Sequence, residues 1–470
     1  MKNILYNKNK ILAVGLLLAF GTLAGCKKLI EIPANPPTQI TRGQVFTDSA
    51  TTISAVAGVY SYTPGGSGIP YSDGFFTLAT AISGHEVSGG YDDQAQFFNY
   101  TLTAFNSSLP LLWKAPYTEI YQINDVLAGI TNNGNLSPSL IKQITGEMKV
   151  VRAFCYFNMA NLFGGVPLVT TTDYKTNAQL PRASVDAVYT QILTDLDDAV
   201  KKLPVTYPSA GHVRANLYTA IALQAKVNLY RGKWQAAYNE ADSVIKSGLF
   251  DITTTPIGNV FLEGSAEAIW QVPILNTYQG SGDANYFVPY SSDQTPGFIV
   301  TESLLKQFET GDQRLENWIA FNIINGKNIY YPAKYKDVQP TSPATGYMML
   351  RLAEMYLIRA EAAAQLGNLT QAITDVNAIR NRAGLGDSPA NETSQSAVLA
   401  AVRKERSTEM CFEFGSRWFD LNRTSKDNKY PANQQAPAVL PNWQANFALY
   451  PIPQAQIQLN SHLIQNPGYR

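Results

Sequence analysis

The chain has 470 residues, and its 36 lysines and arginines balance 36 aspartates and glutamates, leaving a formal net charge of zero. A neutral chain offers no general field for nucleic acid or an anionic membrane surface. Only 15% of its residues are charged while 11% are aromatic, with 26 Tyr, a balance that suits a neutral, polyhydroxylated ligand better than a charged one.

In chain order, Lys2, Lys8 and Lys10 precede an apolar run from Ile11 to Phe20. That run is too short to span a hydrocarbon core of about 30 Å; basic flank plus short apolar core is the pattern of a secretory signal. It ends in Leu23-Ala24-Gly25-Cys26, which resembles a bacterial lipobox. Residues 1–25 are therefore expected to be a lipoprotein signal peptide, with Cys26 lipidated and anchoring the chain. Residues 26–41 contain Pro33, Pro36 and Pro37 and read as an extended tether. Residues 42–470 are expected to form one domain.

A first helix is expected over Asp48–Tyr60, capped by Asp48 or Ser49. Residues 61–110 are rich in Gly, Ser, Asn and aromatics, and read as loops with a little helix. From Leu111, Trp113, Tyr117, Ile120, Tyr121, Asn124 and Leu127 recur at helical spacing. A second helix follows Pro138 to Phe163, where Gly164-Gly165 stops it. Another pattern runs from Val185 to Lys202. Two later segments superpose when Gly232 and Gly367 are aligned: Ala225 matches Ala360, Trp234 matches Leu369, and Ala237 matches Ala372. Each reads as helix, glycine turn, helix, as in tetratricopeptide repeats. Small residues at the crossing let paired helices approach, and glycine accepts the turn's positive φ.

The fold class is thus mostly α. Tetratricopeptide-like helix pairs are expected to form a right-handed superhelical body over about 111–250 and 347–424, with loop-rich insertions over about 61–110 and 251–346. Within the second insertion, Ala268–Ile274 and Asn328–Tyr331 read as short strands and Thr301–Phe308 as a helix. Cys155 and Cys411 lie in apolar helical patterns and are expected as buried thiols, although spacing alone leaves a disulfide between them open.

Several stretches together resemble the SusD/RagB family of outer-membrane nutrient-binding lipoproteins. They include Cys26-Lys27-Lys28 and its tether, Arg152-Ala153-Phe154 leading to Asn161–Leu168, and Asp312-Gln313-Arg314. They continue with Leu350–Leu357, Glu409–Phe414 followed by Gly415–Arg423, and the closing Asn466-Pro467-Gly468-Tyr469. The second residue of Asp312-Gln313-Arg314 departs from the family's Asp-Pro-Arg, and Ser416 departs from its usual His. The resemblance implies a non-catalytic, cell-surface binder of oligosaccharide or polysaccharide that hands its ligand to a SusC-like TonB-dependent transporter. It implies an outer-membrane location through the N-terminal lipid, and no cofactor.

Flat rings stack on the C–H faces of sugars while amides and carboxylates bond the hydroxyl rim. Candidate ligand contacts are therefore aromatics in loops, where no core stripe claims them. One cluster is Tyr71, Phe75, Tyr91, Asp92 and Phe97, with Asp93 and Gln94 alongside; Gly89-Gly90 precedes Tyr91 and lets that loop project. The other is Tyr278, Asp283, Asn285, Tyr286 and Tyr290. Trp113, Trp234, Trp270 and Trp418 read as core. Arg152, Glu354, Arg359, Glu361, Glu409 and Arg417 read as buried charges between repeats. No catalytic or metal-ligating set is expected: the three histidines His85, His212 and His462 are scattered, and neither a nucleophile elbow nor a phosphate-binding glycine loop is present. Two other readings compete, a surface glycoside hydrolase acting through an unlocated carboxylate pair and a protein-binding repeat scaffold.

Overall fold

A computed structural model describes residues 41–61, 71–274, 280–339, 341–342, 344–389, 394–425 and 427–469. The expected signal peptide, Cys26, almost all of the tether and Tyr278 lie outside the described residues. Among those described, no helix is long and apolar enough to cross a membrane.

The labelled helices and strands, in chain order, are α1 (Ser49–Tyr60), α2 (Phe75–Ser83), β1 (Val87–Gly89), α3 (Asp92–Asn99), α4 (Leu109–Ile130), α5 (Pro138–Phe163), α6 (Val185–Lys202), α7 (Leu217–Tyr230) and α8 (Trp234–Lys246). There follow β2 (Ala268–Pro273), α9 (Gly282–Phe287), β3 (Phe298–Val300), α10 (Gln313–Trp318), β4 (Ile319–Ile324), β5 (Lys327–Pro332) and β6 (Gly346–Arg351). The last are α11 (Leu352–Gln365), α12 (Leu369–Arg382), α13 (Gln395–Glu409) and α14 (Ser416–Thr424). The protein is mostly helical with a few short strands, as expected.

The helices start where cap chemistry places them. Asp48, Ser137 and Ser184 each accept a hydrogen bond from a backbone N–H in the first turn of α1, α5 and α6, satisfying donors a helix leaves open. The helix expected over Thr301–Phe308 spans only Glu302–Leu305, with Thr301 as its cap accepting from the Leu304 N–H. Phe308 turns inward and the chain bends through Gly311 to deliver Asp312 to the next helix.

In the body each helix packs on the next: α4 on α5, α5 on α6, α6 on α7, α7 on α8, α8 on α11, α11 on α12, and both of these on α13. The two glycines used to align the repeats have φ of +66° and +86°, the left-handed turn that a side chain resists. Ala225, Ala237, Ala360 and Ala372 are fully buried, so the small-residue crossings are where the sequence puts them.

The step from α8 to α11 skips the whole second insertion. β2 and β6 explain how: they pair antiparallel, Val272 opposite Tyr347 and Ala268 opposite Arg351, so the insertion leaves and re-enters the body at one clasp. Trp270, expected as a core residue, is buried and donates through its indole N–H to the Val213 carbonyl at 2.9 Å. Trp113 and Trp418 are buried as well, and Trp234 is half-buried against the core. Cys155 and Cys411 are free and buried.

Buried charges join insertion to body. Glu409 of α13 meets Arg314 of α10 at 3.1 Å, and also Arg351 of β6 and Arg382 of α12. Arg314 is further held by Asp312 and Glu405. Burial works to raise the Glu409 pKa, but these three arginines outweigh it and hold the carboxyl well below its usual range. Of the other charges expected between repeats, Arg152 pairs with Asp195, Glu354 with Lys226, Arg359 with Asp375 and Asp242, and Glu361 with Arg423. Arg417 instead donates to the Gly84 carbonyl at 2.8 Å.

Candidate functional site

The two expected clusters belong to different insertions, and the fold brings them together. β1 pairs antiparallel with β3, Val87 opposite Val300 and Gly89 opposite Phe298. Below this pair α2 meets α9 backbone to backbone. A Cβ on Gly74 would lie 2.3 Å from the Gly282 carbonyl carbon, and one on Gly282 would lie 2.0 Å from the Asp73 oxygen, so only two glycines permit the contact. The rings of Phe75 and Tyr286 then pack at 6.2 Å.

The members of the clusters divide by burial. Tyr71, Phe75, Phe97 and Asp283, expected on the ligand face, are interior. Tyr71 packs on Phe76 with ring centroids 4.4 Å apart and donates its hydroxyl to the Leu112 carbonyl. Phe97 stands edge-on to Tyr450 at 5.3 Å. A ring with no free face cannot stack on a sugar, and these rings serve instead to seat the loops on the helical body. Asn285 is half-buried, and Asp92 is exposed. Tyr91 is 88% exposed, Tyr290 71% and Tyr286 37%.

Each exposed ring stands on a braced segment. Gly89 and Gly90 turn through positive φ into Tyr91, whose backbone N–H donates to Gln94 Oε1 at 3.1 Å. Asp92 and Asp93 occupy the first turn of α3, where the helix dipole favours negative charge. Asp93 also ties α3 to the following loop. Its carboxylate accepts from the Ser107 N–H at 3.3 Å and from the Ser107 hydroxyl, and its carbonyl accepts from Asn106 Nδ2 at 2.9 Å. These bonds pin the loop whose tip, Phe105, is 74% exposed. The Tyr290 N–H donates to Gln94's counterpart in the second insertion, Gln294 Oε1, at 3.0 Å. Asn322 of β4 donates to the carbonyls of Ser291 and Gln294 at 2.9 and 2.7 Å, tying the Tyr290 loop to the β4–β5 hairpin.

That hairpin adds rings that the sequence pattern did not single out. Phe321 lies opposite Tyr330, ring centroids 5.5 Å apart, and Phe321 and Ile323 are both exposed. A cavity of about 710 Å³ opens beside them, walled by Val288, Phe321, Tyr330, Tyr331, Asn317 and Lys336. A signal for it exists: Asn325-Gly326 between two apolar runs is a strong short-range hairpin cue, and both residues do take positive φ. Phe105 has no such cue.

Beneath the face, burial pushes the Asp283 carboxyl up to about 7. Hydrogen bonds from Tyr347 and Thr77 oppose the rise and the charge of Asp73 adds to it. Burial likewise raises Asp73 and Tyr286. What reaches solvent combines rings, amides and hydroxyls with the charges of Asp92, Glu316 and Lys336, and its rings and polar groups can stack on apolar faces and bond a hydroxyl rim.

Comparison with known proteins places the chain among relatives of one kind. The profile described as "SusD family" matches residues 320–469, and the one described as "Starch-binding associating with outer membrane" matches residues 56–229. A SusD-like protein of Formosa agariphila is 26% identical over 98% of this chain and 100% of its own length. A SusD-like protein of Bacteroides ovatus is 25% identical over 69% of this chain and 67% of its own. Among solved structures, a laminarin-binding SusD-like protein superposes with a TM-score of 0.72 at 25% identity, over 90% of this chain and 100% of that one. The surface glycan-binding protein A of Bacteroides uniformis gives 0.74 at 21% identity, over 89% and 99%.

Proposed function

The chain belongs to the SusD family, and from that premise we propose that it is a non-catalytic surface lipoprotein that binds oligosaccharide or polysaccharide and delivers it to a TonB-dependent outer-membrane transporter of the SusC type. One observation carries the ligand class. Exposed rings at Tyr91, Phe105, Tyr290 and Phe321 are contributed by two separate insertions, and backbone pairing and side-chain clamps hold those insertions as one unit. Solved relatives described as binding laminarin and surface glycan support the same reading. Lipidation at Cys26 would hold the body at the membrane surface through residues 26–41, and residues 42–470 act as one binding domain.

The test is affinity electrophoresis through gels containing laminarin or starch, followed by a wider polysaccharide panel. Tyr91→Ala and Tyr290→Ala each remove an exposed ring and are expected to weaken retardation about tenfold, roughly 1.4 kcal/mol. Wild-type retardation by both variants would place the ligand elsewhere. Reducing ends released on incubation with the retarding polysaccharide would replace the binding reading with a hydrolase. For the anchor, Cys26→Ala should move the protein from the membrane fraction to the soluble one, and the wild type should co-purify with the transporter.

A further inference from the structure

A second cavity, of about 730 Å³, lies on the body and shares no residue with the aromatic face. It opens where the chain leaves α8 for the second insertion, between the turn at 250–257 and the pair α11–α12. Leu352, Ile252 and Ile257 line it as buried apolar residues, and the half-buried Tyr356 supplies a ring. The Arg359 guanidinium lies over that ring at 5.6 Å and is itself fixed by Asp375 and Asp242. Thr253, Gln313 and Asn381 stand exposed around the mouth.

The charges of the cavity decide what it can take. Among the described residues its one cation is Arg382, whose two Nη atoms are paired inward with Glu267 and Glu409 and whose Nε is buried. Asp251 is its anion, with Oδ1 accepting from both the N–H and the hydroxyl of Thr253 at 2.6 Å. No cation among these lining residues is free to meet a sulfate, phosphate or uronate, and burying such a group unpaired is costly. A fixed ring, an apolar floor and a rim of hydroxyl, amide and carboxylate groups fit the two surfaces of an uncharged sugar.

We propose that this cavity is a second glycan site that takes a neutral sugar unit, with Tyr356 as its stacking ring and Asn381 and Thr253 at its rim. The proposal rests on the glycan-binding reading for its ligand class alone. The probe is a printed array of neutral and acidic glycans. It is read with the wild type, with a variant stripped of the aromatic face (Tyr91→Ala, Tyr290→Ala and Phe321→Ala together), and with that variant carrying Tyr356→Ala or Asn381→Ala in addition. Asn381 is exposed, so its truncation leaves the fold intact and covers the case in which Tyr356→Ala unfolds the chain. The stripped variant should keep binding neutral glycans, and each added change should cut that signal about tenfold. If the stripped variant binds nothing that the wild type binds, the second site is refuted and the aromatic face stands. If stripping changes nothing while Tyr356→Ala and Asn381→Ala abolish binding, the cavity stands and the aromatic face falls. Retained signal confined to acidic glycans would overturn the neutral-sugar assignment, and a wild type that binds no printed glycan would count against both sites.

Discussion

Tyr91 caps the short helix α3 and Phe97 lies within it, and the two carry opposite loads. Phe97 is sealed against Phe75 and Tyr450, so Phe97→Ala leaves a cavity and is expected to cost about 3–5 kcal/mol in urea denaturation. Tyr91→Ala removes a ring that packs on little, so its stability should stay within about 0.5 kcal/mol of wild type while its glycan affinity falls. Asp283 gives a residue-scale pH signature. Its folded value, about 7, lies above that of an unfolded aspartate. The stability it supports is full below the unfolded value and is lost as pH rises through 7. Asp283→Asn should therefore flatten the fall in melting temperature between pH 5 and 8; an unchanged slope would show that other groups govern it. Tyr91 and Phe97 were both legible as loop aromatics, but the sequence could not sort them. An aromatic outside a periodic stripe packs on the body or faces solvent according to what the loop lands on, and that surface comes from residues distant in the chain.

Elements with their own local signals were legible. α5 and α6 have the bounds that cap, period and stop residues predict, because those forces act within a few residues. Of the β4–β5 hairpin, β5 was read as a short strand at Asn328–Tyr331, but β4 and the turn at Asn325-Gly326 escaped, since β4 is short and only partly alternating. Two predictions belong here. Asn322 is buried and serves two loop carbonyls. Asn322→Ala should cost about 1–3 kcal/mol and should also weaken glycan retention, because Tyr290 loses its brace; full retention would detach that loop from the binding face. Glu409→Ala leaves the buried cluster one negative charge short, although Arg314, Arg351 and Arg382 keep their other carboxylates, and should destabilise by about 3–5 kcal/mol in the same denaturation assay. Its wild-type contribution is present above the ordinary carboxylate range and is lost as pH falls through its depressed value, so the variant should lose part of the wild type's sensitivity to acid.

At the scale of the molecule, a main core runs from Phe46 to Leu463 through both insertions and much of the helical body, with two smaller clusters between α11, α12 and α13. The charge network around Glu409 ties α10, β6, α12 and α13 to the same centre. Residues 42–470 are therefore expected to unfold as one cooperative unit, with tryptophan fluorescence and far-ultraviolet circular dichroism tracing coincident transitions. A separate early loss of the insertions would divide the domain.

The order of amino acids was enough to set the helical body, its cap and turn positions, the small-residue crossings and the resemblance to a binding family, since all of these follow from forces between near neighbours in the chain. Which aromatics became a surface was left to three-dimensional packing. β1 had to find β3, and Gly74 had to meet Gly282, before some rings were buried as seats and others left free. Such pairings join positions far apart in the chain, and no local pattern of side chains records them.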